Sequence, residues 1–182
     1  MQVDLYSEEE ILEGCRKNNR QYQEILYRRY ARKMYGICMS YAGNRDLAQD
    51  ILQDAFIKVF KKIKLYKREG SLEGWIRRII VNTAIDHLRK ETLKHNYITE
   101  QEEIIEEETY EPDVLEKLKA QDVLDLVAQL PDGARMIFNL YAVEGFTHKE
   151  IAAKMDISVG TSKSQFSRAR KMLMQLINKH SA

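Results

Sequence analysis

Apolar side chains along this chain recur every third or fourth position, and no stretch alternates apolar and polar residues for long enough to make a strand, so the pattern predicts helices throughout. Ser7 followed by Glu8, Glu9 and Glu10 reads as the cap of a short helix within residues 7–19, because a hydroxyl there accepts from the unpaired amides of the first turn. A longer helix is expected over residues 22–41. Its buried face is Tyr22, Leu26, Tyr30, Met34, Ile37 and Tyr41, and Ala42, Gly43 and Asn44 supply the turn that ends it. Residues 46–63 carry two adjacent apolar rows, Leu47, Ile51, Ala55, Val59 beside Ala48, Leu52, Phe56, Phe60, each repeating at four. Helical periodicity lapses over residues 61–74 and returns from Trp75 in WIRRIIVNTAIDHLRK, with Trp75 or Ile76, Ile79, Ile80, Ala84 and Leu88 turned inward. After an uneven stretch at 91–113, a helix is expected over residues 114–130, stopped by Pro131 and Asp132. Gly133 or Ala134 opens the next, with Met136, Ile137, Leu140 and Tyr141 as apolar faces, and Glu144 and Gly145 break it.

The polar positions separate into three surfaces. Opposite the apolar rows of 46–63 lie Asp50, Gln53, Asp54 and Ile57, which read either as a solvated helix face or as a docking surface for a basic partner. The segment KKIKLYKREGSLEG is basic and contains an aromatic; the helix after it leaves Arg77, Arg78, Asn82, Asp86, Arg89 and Lys90 on an outward ridge. That combination suits a surface that follows phosphates and holds unpaired bases, with Trp75 either a core tryptophan or part of that surface. The third surface is GFTHKEIAAKMDISVGTSKSQFSRARKML. Thr147 and Glu150 form a capping box, Ile151, Ala152 and Met155 face inward, Asp156 and Ile157 turn the chain, and Ser158 caps a second helix. On that second helix Val159, Ser162, Phe166, Ala169 and Leu173 are expected inward, and Thr161, Lys163, Ser164, Gln165, Ser167, Arg168 and Lys171 outward. Long basic and amide side chains reach base edges in a major groove and hydroxyls bond phosphates, so cap, turn and basic second helix agree on a helix-turn-helix rather than an ordinary helical hairpin.

Composition adds the division of charge. The 182 residues are 44% hydrophobic, and the net charge of +1 conceals three blocks. Residues 1–90 hold 18 Lys and Arg against 12 Asp and Glu, residues 91–130 hold 3 against 12, and residues 131–182 hold 8 against 4. Two basic ends around an acidic strip suggest polyanion binding at both ends of a segment that DNA would repel. The expected architecture is therefore all-α, with two small helical domains, 1–90 and 114–182, joined by an acidic linker over 91–113. MQVDLYSEEE lacks the features of a signal peptide and no apolar run approaches the roughly 20 residues that span a bilayer, so a cytoplasmic protein without stable membrane insertion is expected. Cys15 and Cys38 read as reduced thiols, and His87, His95, His148 and His180 show no ligand spacing, so no metal, cofactor or catalytic residue is assigned.

Leu130-Pro131, Glu144-Gly145, Lys149 to Ala152, and Gly160, Thr161, Lys163, Ser164 with Ser167 to Arg170 together resemble the C-terminal region of bacterial sigma factors. Upstream, residues 46–60 resemble the family's polymerase-binding helix and residues 75–89 its promoter-melting helix. With only these two regions, the chain is similar to the small extracytoplasmic-function type. The resemblance implies a dissociable specificity subunit with no catalysis of its own, whose partners are core RNA polymerase (β′ clamp and β flap), promoter DNA and an anti-sigma factor. It implies that Asp50, Gln53, Asp54 and Ile57 grip the polymerase. Tyr66, Lys67, Arg68 and Ser71 would surround a flipped base, Trp75, Arg78, Asn82 and Asp86 would meet the −10 element, and Thr161, Lys163, Ser164, Gln165, Ser167 and Arg168 would read the −35 element. Gln165 stands where the family often has arginine and Ser162 where valine is usual; the first is expected to tune the −35 sequence, the second to affect packing. A helix-turn-helix regulator acting without polymerase would explain the C-terminal motif equally well but leave Asp50, Gln53, Asp54 and Trp75 without a role.

Overall fold

The computed structural model describes residues 5–95 and 125–180, and every regular element among them is helical. Its contacts divide the chain into two compact units, Met1–His87 and Leu88–Ala182. The first contains α1 (Glu8–Arg16), α2 (Arg20–Ala42), α3 (Arg45–Lys62), a 3-10 turn at Ile63–Leu65 and most of α4 (Leu72–His95). Ser7 and Glu10 make a reciprocal capping box at the head of α1, Asn19 caps α2, and Asn44 caps α3 by accepting from the Leu47 amide at 2.9 Å. Gly43, at φ 71°, supplies the left-handed residue that lets α2 stop and α3 start one residue after the cap.

The expected apolar rows form the core of this unit. On α3 Ala48, Ile51, Leu52, Ala55, Phe56 and Val59 are buried, with Leu47 and Phe60 half-buried at the ends. On α2 Leu26, Met34 and Tyr41 of the expected stripe are buried, Tyr22, Tyr30 and Ile37 are half-buried, and Cys38 beside Ile37 is fully buried, because at about 3.6 residues per turn the apolar line drifts about 20° around the helix with each heptad. Burial pushes the Cys15 thiol up to about 11 and the Cys38 thiol up to about 12, so both remain protonated and unreactive. α4 starts at Leu72 rather than Trp75. The Ser71 hydroxyl accepts from the Gly74 amide at 3.1 Å and supplies the cap that the glycine-containing sequence disguised. The same helix continues through His95, five residues beyond the expected limit at Lys90. The rest of the expected linker, residues 96–113, and the helix expected from 114 lie outside the described residues, save a helical segment at 125–127.

The second unit comprises that segment, α5 (Asp132–Phe138), a π-helical turn at Asn139–Val143, α6 (His148–Met155) and α7 (Val159–His180). α5 begins one to two residues earlier than expected and runs directly into the wide turn. Leu126, Val127, Leu130 and Ala134 are buried against Ala169, Leu173 and Ile177 of α7, forming a core that the long second helix of the C-terminal motif completes. Arg135 is 3% exposed; its Nη1 donates to the carbonyls of Leu130 at 2.7 Å and Ala128 at 3.3 Å, and its Nη2 pairs with Asp132. A cation thus stitches the turn before α5 to the helix itself.

Candidate functional site

Three surfaces follow from these helices, two in the first unit and one in the second. On α3, Asp50, Gln53, Asp54 and Ile57 are all exposed and recur at three and four, so they share one face of the helix. Ile57, 43% exposed, and Gln53 line an open groove of about 640 Å³ together with Tyr27, Tyr35, Gln49, Leu52, Phe56 and Phe60. The Tyr27 ring meets Phe56 edge-on at 4.8 Å. Sequence reasoning missed Tyr27 and Tyr35; their signal was an aromatic pair eight residues apart on α2, beside the main apolar stripe. Asp54 is not a free carboxylate: its Oδ2 lies 2.8 Å from Nε2 of His87 on α4.

The second surface is the loop 66–71 with α4. Lys67, Arg68 and Ser71 are exposed, while Arg68 at φ 63° and Gly70 at φ 93° give the loop two left-handed residues. Tyr66 corrects the expectation of an accessible loop aromatic. It is 4% exposed, its hydroxyl donates to the Gly70 carbonyl at 2.8 Å, and its ring lies 5.4 Å from that of Trp75. Tyr66 is therefore a wall and a strut of the loop. Trp75 is half-buried, between the two alternatives the sequence left open. Arg78, Asn82 and Asp86 are exposed one turn apart on α4, forming the outward ridge; Arg89 is also exposed, and the Lys90 side chain lies outside the described ones. Asp86 would repel phosphate, but its Oδ2 accepts from Lys58 Nζ at 2.9 Å, which offsets that charge.

The third surface is α6 and α7. Thr147 and Glu150 make the expected capping box, whose backbone hydrogen bond, reinforced by the Thr147 hydroxyl, holds the Glu150 carboxyl below the usual range. Asp156 is left-handed at φ 58° and Ser158 accepts from the Thr161 amide at 2.9 Å, so the turn and the second cap stand as expected. On α7 Lys163 and Arg168 are exposed and Thr161, Ser164 and Ser167 half-exposed along the outer side. Two expectations fail here. Gln165, expected outward, is 9% exposed, because it lies four residues before the fully buried Ala169 and follows the inward row. Val159, expected inward, is 42% exposed at the open first turn.

Ser162 is fully buried, with its hydroxyl 2.9 Å from Nδ1 of His148. The His148 ring stacks on Tyr141 at 4.4 Å and meets Phe166 edge-on at 5.7 Å, joining the π-helical turn, α6 and α7. Burial, assisted by Lys163, lowers the His148 pKa, so the neutral ring is the form the fold holds. Among the described residues no group of three His, Cys, Asp or Glu side chains could hold a metal ion, and no helix is long and apolar enough to cross a membrane.

Comparison with known proteins matches the sigma-70 region 2 family over residues 26–93 and the sigma-70 region 4 family over residues 120–173. The chain is 28% identical to the ECF RNA polymerase sigma-E factor of Haemophilus influenzae over 92% of its length and 93% of that protein's. It is 29% identical to the Escherichia coli K12 ECF sigma-E factor, with 90% of each chain covered. Among solved structures, the sigma factor RpoE of Bartonella quintana, in complex with the anti-sigma factor NepR, has a TM-score of 0.47 at 23% identity, covering 85% of this chain and 96% of that one.

Proposed function

Since this chain belongs to the extracytoplasmic-function type of sigma-70 factor and, as such, directs transcription initiation, we propose how its three surfaces divide that work. Asp50, Gln53, Asp54 and Ile57 dock on the β′ clamp of core RNA polymerase, the carboxylates facing basic groups and Ile57 entering an apolar contact beside the Tyr27–Phe56 groove. Lys67, Arg68 and Ser71 with Trp75, Arg78, Asn82 and Asp86 receive the melted −10 strand, in which an extruded base is stabilised by a pocket and the phosphates by the cations. Thr161, Lys163, Ser164, Ser167 and Arg168 engage the −35 duplex, with the second unit also meeting the β flap. Residues 1–90 and 114–182 act as the two DNA-contacting domains, and 91–113 as the acidic tether between them. The factor works in the cytoplasm as a non-catalytic subunit, and an anti-sigma factor, expected from the family alone, completes its partners.

The observation that supports this reading most directly is the pair of outward faces on adjacent helices of one bundle. α3 presents acid and isoleucine, while α4 presents Arg78 and Asn82 behind a basic loop. A regulator that only bound duplex DNA would have no use for either. The test is reconstitution of core polymerase with this protein on a randomised promoter library. Enrichment of a paired −35 and −10 sequence is expected, and folded protein that yields no specific initiation would refute the division of roles.

A further inference from the structure

α1 lies upstream of the residues matched to sigma-70 region 2, and no surface described above uses it. It is nevertheless anchored closely. Ile11, Leu12 and Cys15 are buried, and Gly14 packs so near Tyr22 that a Cβ there would stand 2.1 Å from the ring. The Tyr30 hydroxyl donates to Glu8 Oε2 at 3.1 Å and Arg29 Nη2 donates to the Tyr6 carbonyl at 2.8 Å, tying the start of the helix to α2. The side of α1 left over reaches the 66–71 loop at two points. Arg16 Nη2 donates to the Tyr66 carbonyl at 3.0 Å, and Glu9 Oε1 accepts from Arg68 Nη2 at 2.9 Å.

These contacts matter because of the loop's own construction. Two of its residues are left-handed, and its internal ties are the Tyr66 hydroxyl to Gly70 and the Ser71 cap on α4. Such a segment keeps one shape only when its surroundings impose it. The Glu9–Arg68 pair is exposed, at 73% and 48%, and water competes with it. The Arg16 contact is of another kind: the side chain is 28% exposed, and a guanidinium on a backbone carbonyl is a strong, directional bond.

We propose that α1 is a brace for the 66–71 loop, and that Arg16 is the positioning residue that holds the loop in the shape that receives an unpaired promoter base. This rests on the reading above that the loop receives such a base. Arg16 itself touches no DNA; it acts through the Tyr66 carbonyl, so its loss changes which base is accepted more than how firmly the upstream element is held.

Two measurements on the full chain separate the brace from the reading it rests on. In the free protein, Arg16→Ala is expected to speed amide hydrogen exchange across residues 66–71 about tenfold while leaving the buried amides of α2 and α3 unchanged, with Arg16→Lys, which keeps a donor, in between. In reconstituted holoenzyme on forked templates carrying each of the four bases across the opened strand, Arg16→Ala is expected to flatten the preference at the captured position by about fivefold or more, with core assembly and −35 affinity unchanged and partial rescue by Arg16→Lys. Unchanged loop exchange, or a wild-type base profile in both variants, would overturn the brace. A wild-type holoenzyme without base preference anywhere in the opened strand would overturn the reading of the loop instead. Arg16→Lys keeps both measurements readable should the alanine variant not fold.

Discussion

Arg135→Met isolates the cation that closes the second unit. The methionine keeps an apolar stem in a site that is 3% exposed but removes donors from the Leu130 carbonyl at 2.7 Å and the Ala128 carbonyl at 3.3 Å, and it removes the pairing with Asp132. Hydrogen bonds from a charged group contribute about 1.5–3 kcal/mol each, the longer bond less, while relief from burying the guanidinium offsets part of that, leaving a net loss of about 2 kcal/mol. For a unit of this size each kcal/mol moves the melting temperature by about 4–8 °C, so a fall of about 8–16 °C is expected. The assay uses an accident of composition: Trp75 is the only tryptophan and lies in the first unit. Its fluorescence therefore follows the first unit alone, whereas far-ultraviolet ellipticity follows both. In Arg135→Met one part of the ellipticity transition is expected to move down and the fluorescence transition to stay. A fluorescence transition that falls in step would refute independent unfolding of the units, and no shift in either signal would refute the worth assigned to the Arg135 bonds.

Asp54→Arg is expected to abolish core polymerase binding with a negligible change in melting temperature, because its pair with His87 is more than half exposed on the aspartate side; co-purification and a thermal melt check the two halves. Arg78→Ala is expected to slow promoter opening and lower the slope of log affinity against log salt by about one, as one phosphate contact is lost; filter binding at several salt concentrations measures it. The folded pKa of His148 lies below 6.5, so the folded state binds its proton less readily than the unfolded one. Its contribution to the second unit is then complete above about pH 6.5 and is lost as the pH falls toward the lowered value; in melts from pH 7.5 to 5.5 the difference between the wild type and His148→Gln is expected to stay constant above about pH 6.5 and the wild type to lose stability relative to the variant below it. Gln165→Ala, at a buried position, is expected to lower the stability of the second unit while leaving promoter preference intact, whereas Lys163→Ala weakens DNA binding with little change in stability; promoter selection with each variant decides between packing and readout.

Local chemistry made much of this protein legible before any tertiary structure. Ser7, Thr147 and Ser158 cap helices wherever they stand, because the unpaired amides they serve belong to the next turn of the same chain. The rows Ile51, Ala55, Val59 and Ala48, Leu52, Phe56 announce their burial by period alone, and the exposure of Asp50, Gln53, Asp54 and Ile57 follows as the remainder of the same helix. What the sequence left undecided depends on contacts between residues far apart in it. That Tyr66 is a wall and not a probe depends on Gly70 and Trp75 folding over it; that Asp54 and Asp86 are already paired depends on α4 lying beside α3. Gln165 could be assigned outward from a basic sequence context, yet the phase of α7 is set by Ala169, Leu173 and Ile177 meeting Leu126, Val127, Leu130 and Ala134, and a helix turned to bury those residues carries Gln165 inward with them. The bond from Arg16 to the Tyr66 carbonyl is the extreme case: a backbone acceptor leaves no trace in residue type, so only the tertiary structure shows that the first helix supports the loop.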